Sequence, residues 1–224
     1  MSTAHPVSVT ALRTFAMFSG LNESSLEPIA RASIMRRIPR GATVVRAGDR
    51  TDFVYLVLSG SLKVLVSDEE GREVILSMLG PGELFGEMGV LDENPRSATV
   101  VALAASDLVV ISKADFKRCL YENFDVTMYI LRNLVQRLRV ADRKIESLAL
   151  MDVYGRVARL LLEMAEEING QKVVNRRISK QDIAKMIGAS REMVSRVMKD
   201  LNVQGLIEEG DGRILLFDRL ESVT

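Results

Sequence analysis

Cysteine is nearly missing from this sequence: Cys119 stands alone among 224 residues. One thiol cannot build an internal disulfide framework or supply the four thiolates of an iron–sulfur cluster. A reducing cytoplasm is therefore the expected compartment. Histidine is equally scarce, with His5 the only one, and no nucleophile–base pair or metal-ligand cluster stands out along the chain. Catalysis lacks its parts, so an enzyme is not expected. Long apolar runs are missing too: the longest uncharged stretches fall short of the ~18 residues a membrane span needs. Residues 1–15 have neither a charged front nor a long apolar run, so no signal peptide is expected. A net charge of one sign is absent as well, since 30 Lys and Arg balance 30 Asp and Glu. That argues against a uniformly basic nucleic-acid binder but leaves room for a local basic patch.

What is present is globular material. The chain is 47% apolar and 27% charged, which excludes disordered, collagen-like and mucin-like classes. Its length suits two small domains or one large one. Residues 9–35 read as helix in two pieces broken at Ser19-Gly20, with Leu12, Phe15, Leu21, Leu26, Ile29 and Ala32 at interrupted helical spacing. Ser24 is the cap candidate for the second piece, which would leave Pro28 in its first turn, where a missing N–H costs no bond. Residues 38–111 change texture. Short β-rich runs at 44–45, 53–58, 61–66, 73–78, 97–103 and 107–111 alternate with Gly48-Asp49, Ser59-Gly60, Glu70-Gly71 and Gly80-Pro81-Gly82. That spacing predicts an antiparallel sandwich or roll.

From about residue 114 to 151 the chain reads as helix. Leu131, Leu134, Leu138, Ala141, Ile145 and Leu148 alternate steps of three and four, with Arg132, Arg139, Arg143 and Glu146 off that line. This is an a/d seam of about three heptads, read as a seam between two chains in preference to packing within one domain. A further helix over 154–168 ends at the turn Asn169-Gly170. Residues 179–199 then fit two short helices joined at Gly188. Ser179 caps the first, with Asp182 as a capping-box partner, and Ser190 caps the second. Ile183, Ala184, Ile187, Val194 and Val197 form their shared core. Residues 205–217 read as a hairpin, or wing, around Gly210-Asp211-Gly212. Met128, Met151, Met186, Met193 and Met198 read as core filler.

Two segments carry chemistry. The second helix of a helix-turn-helix enters the major groove. There Arg191 and Arg196 suit guanine and Glu192 suits cytosine N4. Between Arg176 and Lys199 seven basic residues (Arg176, Arg177, Lys180, Lys185, Arg191, Arg196, Lys199) face only Asp182 and Glu192, a local charge of +5. That asymmetry is the footprint of phosphate contacts. Residues 85–98 supply the second site. Glycines at 86 and 89 free backbone amides to approach an anion, and Arg96 adds bidentate phosphate geometry. Ser97 can donate one more bond, and Glu87 can accept from a ribose hydroxyl. A plain β-turn or a Glu87–Arg96 surface ion pair is the bland alternative.

Gly86-Glu87-Met88-Gly89 with Arg96-Ser97-Ala98 resembles the phosphate-binding cassette of cyclic-nucleotide-binding domains. Ser190-Arg191-Glu192-Met193-Val194-Ser195-Arg196 resembles the recognition helix of the cyclic-AMP receptor protein (CRP/FNR) superfamily. The resemblance spans about residues 15–218. It implies an α+β chain: N-terminal helices and an antiparallel β-roll over 1–114, a dimerisation helix over 115–151, and a winged helix-turn-helix over 152–224. It implies a homodimeric transcription regulator that binds double-stranded DNA, touches RNA polymerase, uses no membrane, and responds to a cyclic nucleotide. By that match Gly86, Glu87, Met88, Gly89, Arg96 and Ser97 hold the cyclic phosphate and ribose. Arg191, Glu192 and Arg196 read a half-site of TGTGA type, with Ser179, Gln181, Ser190 and Lys199 completing the DNA-binding set. Cyclic-AMP receptors place a Thr-Ser pair against adenine, four residues after an arginine matching Arg137. Here Ala141 and Asp142 occupy those places, so cyclic AMP is the first expectation and cyclic di-GMP, or a ligand-independent regulator, the alternative. A kinase-type regulatory subunit would share the roll but have no use for residues 179–199. Cys119 standing alone excludes the iron–sulfur branch. His5 as the only histidine argues against a haem branch, although another residue can serve as axial ligand. No metal is expected.

Overall fold

The computed structural model describes residues 5–175, 177–210 and 212–223. Of the features read from sequence, Arg176 in the basic segment and Asp211 in the wing turn lie outside them. The chain forms two compact units, the first ending at Gln136 and the second beginning at Arg137.

In the first unit β1 (His5–Pro6), α1 (Val9–Arg13), a 3-10 turn (Ala16–Phe18) and α2 (Glu23–Arg31) precede β2 (Ser33–Ile38). Then follow β3 (Thr43–Val45), β4 (Phe53–Ser59), β5 (Leu62–Ser67), β6 (Glu73–Leu79), β7 (Leu84–Phe85), α3 (Met88–Leu91), β8 (Thr99–Ala102) and β9 (Ser106–Ser112). They pair antiparallel throughout into two sheets, β1-β2-β9-β4-β7 and β3-β8-β5-β6. The roll follows from strands that are apolar on both faces. Along β4, Tyr55 and Val57 point between the sheets, where they meet Val45, Leu62, Val100 and Leu108. Val54 and Leu56 point the other way, onto Leu12, Phe15, Phe18, Leu26 and Phe116 from the helices. β9 repeats the pattern, with Leu108 and Val110 inward and Val109 and Ile111 outward. After β9 come α4 (Lys113–Glu122) and α5 (Phe124–Leu150), and the unit boundary falls inside α5.

The second unit adds α6 (Val153–Met164), β10 (Glu166–Ile168), β11 (Gln171–Val174), α7 (Lys180–Ile187), α8 (Arg191–Val203), β12 (Ile207–Gly210) and β13 (Arg213–Leu216). Its sheet runs β10-β11-β13-β12, and Leu161, Val174, Ile183, Val194, Leu201 and Leu220 are buried in a common core.

Four sequence readings need correction. The helix expected over 9–35 stops at Arg31, because Ser33–Ile38 pair with β9 as a strand; sheet pairing overrides local helical spacing there. The cap of α2 is Asn22, whose Oδ1 accepts from Ser25 N at 2.9 Å and from the Ser24 hydroxyl at 2.7 Å. Ser24 thus supports the cap instead of making it, and Pro28 lies inside α2, beyond the first turn. The helix over 114–151 is two helices, since Asn123 leaves helical geometry at φ −130°. The helix expected over 154–168 ends at Met164, and Glu166–Ile168 pair with Gln171–Val174 as a hairpin. Its turn residues Asn169 and Gly170 both have positive φ (52° and 77°), the Asn-Gly signature of a tight hairpin. The strands β1, β2, β7 and β11 also went unread.

Candidate ligand-binding and nucleic-acid sites

The first site forms where β7 ends. Gly86 has φ +83°, and a Cβ there would overlap Arg96 Nη1. Only glycine allows its backbone so close to the guanidinium. Its carbonyl accepts from Arg96 Nη1 at 2.9 Å, and the Phe53 carbonyl accepts from Nη2 at 2.6 Å. The main chain of Arg96 is pinned as well: its N–H donates to Asp49 O at 2.9 Å and its carbonyl accepts from Gly48 N at 2.8 Å. The side chain stands over the Tyr55 ring, 5.7 Å from its centroid, and Tyr55 stacks on Phe85 at 4.9 Å. Phe53 and Tyr55, neither singled out from sequence, and Phe85, at the start of the 85–98 segment, therefore fix the arginine. The signal for Phe53 and Tyr55 was the apolar run at 53–58.

Arg96 is 7% exposed and Glu87 is 1% exposed. Burial pulls the Arg96 pKa down, opposed by Tyr55, Asp52, Glu87 and Asp49. Burial likewise pushes the Tyr55 hydroxyl up. Among the described residues the buried Arg96 Nε donor has no hydrogen-bond acceptor. A buried guanidinium held by two carbonyls, with a donor to spare, suits an anion. α3 starts at Met88, and the first N–H groups of a helix have no intrahelical acceptor. Gly89 is buried, and a Cβ there would lie 2.6 Å from Asn94 O and overlap Thr51 Oγ1. Met88 and Ser97 are exposed. Phosphate oxygens fit this cradle of glycine backbone and arginine. Arg137, Ala141 and Asp142 lie on α5 in the second compact unit, the latter two exposed. Gly86→Ala should destabilise the first unit by about 1–3 kcal/mol through left-handed strain and displacement of Arg96; thermal unfolding of the variant checks it.

The second site is built by caps. Ser179 Oγ accepts from Asp182 N at 3.0 Å and donates to Asp182 Oδ2 at 2.6 Å, opening α7. α7 ends at Gly188, in left-handed geometry (φ 64°, ψ 47°). The Ala189 N–H donates back to Ala184 O at 3.0 Å, and Arg156 Nη1 donates to Ile187 O at 2.8 Å, closing the turn. Ser190 Oγ then accepts from Met193 N at 3.2 Å, opening α8. Ile183, Ala184, Ile187 and Val194 are buried and Val197 is partly buried. Arg191, Glu192, Arg196 and Lys199 are exposed on α8, and Gln181, Ser179 and Ser190 are exposed beside them. Glu192 is held below the usual carboxylate range, first by its own helix N–H, then by the Ser190 hydroxyl, with Arg191 and Arg196 adding to it. Met193 corrects a reading: it is 44% exposed, not core filler, because it lies around the helix from the buried pair Val194 and Met198. Lys180 Nζ lies 3.6 Å from Glu209 Oε1 on β12.

Among the described residues no group of three His, Cys, Asp or Glu side chains is placed to hold a metal, and no helix is long and apolar enough to cross a membrane. Cys119 is buried in the core of the first unit, its thiol pushed up to about 11 by burial and then by Glu122.

The cyclic nucleotide-binding domain family matches residues 35–123, and the Crp-like helix-turn-helix domain family matches residues 155–222. Vfr, the cAMP-activated global transcriptional regulator of Pseudomonas aeruginosa, is 34% identical over 192 residues, covering 81% of this chain and 88% of that protein. The chain belongs to the CRP family of transcription regulators. The cAMP-activated regulator CRP of Pasteurella multocida is also 34% identical, with 82% of this chain and 90% of that protein covered. Among solved structures, the c-di-GMP responsive global regulator CLP of Xanthomonas campestris superposes with a TM-score of 0.73 at 29% identity, over 88% of this chain and 99% of that one. The first family match ends at Asn123, where α4 breaks from α5, and the second opens within α6. In this CRP-family chain the cyclic nucleotide-binding domain match and the Crp-like helix-turn-helix match therefore fall in separate units.

Proposed function

We propose that this regulator binds cyclic AMP in the cradle of Gly86, Glu87, Met88, Gly89, Arg96 and Ser97 and, as a homodimer through α5, reads a palindromic operator with Arg191, Glu192 and Arg196. Ser179, Gln181, Ser190 and Lys199 hold the DNA backbone. The observation that carries the ligand reading is Arg96, buried, aimed by two carbonyls and left with a spare donor. On this reading the protein catalyses nothing, works in the cytoplasm, touches RNA polymerase, and divides into a sensor over 1–114, a dimer helix over 115–151 and a DNA-binding domain over 152–224.

Arg137, Ala141 and Asp142 are the residues proposed to face the base. Ala141 brings no hydroxyl and Asp142 brings a charge, so cyclic AMP is held less tightly than a Thr-Ser pair would hold it. Calorimetric titration of the full chain with cyclic AMP, cyclic GMP and cyclic di-GMP tests this. Cyclic AMP should give heat, and Ala141→Thr with Asp142→Ser should tighten it, since each hydroxyl satisfies a base edge otherwise left unpaired. The same two positions, with the 29% identity to c-di-GMP responsive CLP, support cyclic di-GMP as the second reading. Heat from cyclic di-GMP with none from cyclic AMP would select it.

On DNA, Arg191→Ala should cost about 1–3 kcal/mol of discrimination at one guanine, while Lys180→Ala should weaken every sequence alike. Binding to a duplex with inverted TGTGA-type half-sites and to a mixed-sequence duplex separates the two. An equal loss on both duplexes for Arg191→Ala removes it from the reading set.

A further inference from the structure

The wing carries charge of the wrong sign for a segment beside DNA. Glu208 and Glu209 sit in the middle of β12, both exposed. Successive residues of a strand point to opposite faces, so the two carboxylates face different ways. Glu209 is the one that reaches α7: its Oε1 stands 3.6 Å from Lys180 Nζ, with both side chains 39% exposed. Lys180 is the first residue of α7, directly after the cap Ser179. A lysine there is unfavourable to its own helix, whose N-terminal end is already positive, and a carboxylate is favourable. Glu209 therefore partners an ammonium carried by the first residue of a helix. Phosphate oxygens of DNA seek the same combination.

We infer that Glu209 is a built-in competitor for phosphate, which neutralises Lys180 in the free protein and holds down the sequence-independent part of DNA affinity. The inference rests on the DNA-binding reading above. Binding DNA through Lys180 requires the lysine to exchange a carboxylate for a phosphate, and the gain from that contact is reduced by the ion pair given up. That exchange does not read sequence, so it acts alike on cognate and random duplexes.

Binding of the full-length protein to a mixed-sequence duplex and to a duplex with inverted TGTGA-type half-sites, across a salt series, tests it. Glu209→Gln keeps the size of the side chain and should tighten both by about two- to fivefold at low salt, the scale of an exposed ion pair. Its salt dependence should steepen by about one phosphate contact. The gain should vanish in the Lys180→Ala background, and Glu208→Gln, which removes the same charge from the other face of the strand, should gain less. A Glu209→Gln gain no larger than that of Glu208→Gln, or one undiminished without Lys180, overturns the inference while leaving the DNA reading intact. Failure of the unmodified protein to bind any duplex overturns both.

Discussion

Arg96→Ala is expected to abolish measurable cyclic-nucleotide binding, lowering affinity by at least about 100-fold, since charge-assisted hydrogen bonds contribute about 1.5–3 kcal/mol each. Two losses combine. The phosphate loses its fixed positive partner, and the carbonyls of Gly86 and Phe53, which accept from Nη1 and Nη2, lose their donors in a buried site. Arg96→Lys should recover only part of the affinity, because one ammonium cannot reach both carbonyls and the ligand together. Calorimetry with cyclic AMP and cyclic di-GMP measures the first loss, and thermal unfolding without ligand measures the second. Retained affinity with a lowered unfolding temperature would reduce Arg96 to a structural brace.

Leu138→Glu is expected to convert the protein from dimer to monomer. On the single chain Phe124, Leu131, Leu138 and Ile145 repeat every seven residues along α5, and they are 74%, 49%, 62% and 65% exposed. An apolar heptad stripe left open on a helix is what a second copy of that helix covers. Glutamate at 138 would place two like charges at the two-fold seam, a burial that costs more than about 3 kcal/mol when no partner compensates. Sedimentation velocity reads the outcome, with Arg139→Glu, one position off the stripe and exposed, as the variant that stays dimeric. A dimeric Leu138→Glu protein moves the seam elsewhere. The monomer should also lose most of its affinity for a palindromic duplex, because each chain then holds one half-site alone.

Local chemistry is strong in the helix-turn-helix, and there the sequence alone was enough. Ser179, Gly188 and Ser190 each act on residues within a few positions of themselves, so caps and turn are legible one at a time. The Gly86–Gly89 and Arg96–Ser97 spacing was legible for the same reason, since glycine geometry and arginine charge are properties of single residues. The heptad stripe on α5 needed only periodicity.

Long-range pairing decided the rest. Ser33–Met35 look helical until β9 offers them a sheet edge, and Glu166–Ile168 extend a helical pattern until the Asn169-Gly170 turn folds β11 back onto them. What aims Arg96 comes from Phe53, 43 residues away. Lys180 and Glu209 meet only because the wing returns beside α7. Sequence by itself determined the caps of α7 and α8, the left-handed glycines, the apolar periods and the charges, all set by one residue and its near neighbours. Tertiary structure decided which strand ends meet, which buried donor is left without an acceptor and which lysine lies beside a carboxylate, because each depends on groups brought together only when the apolar faces are buried.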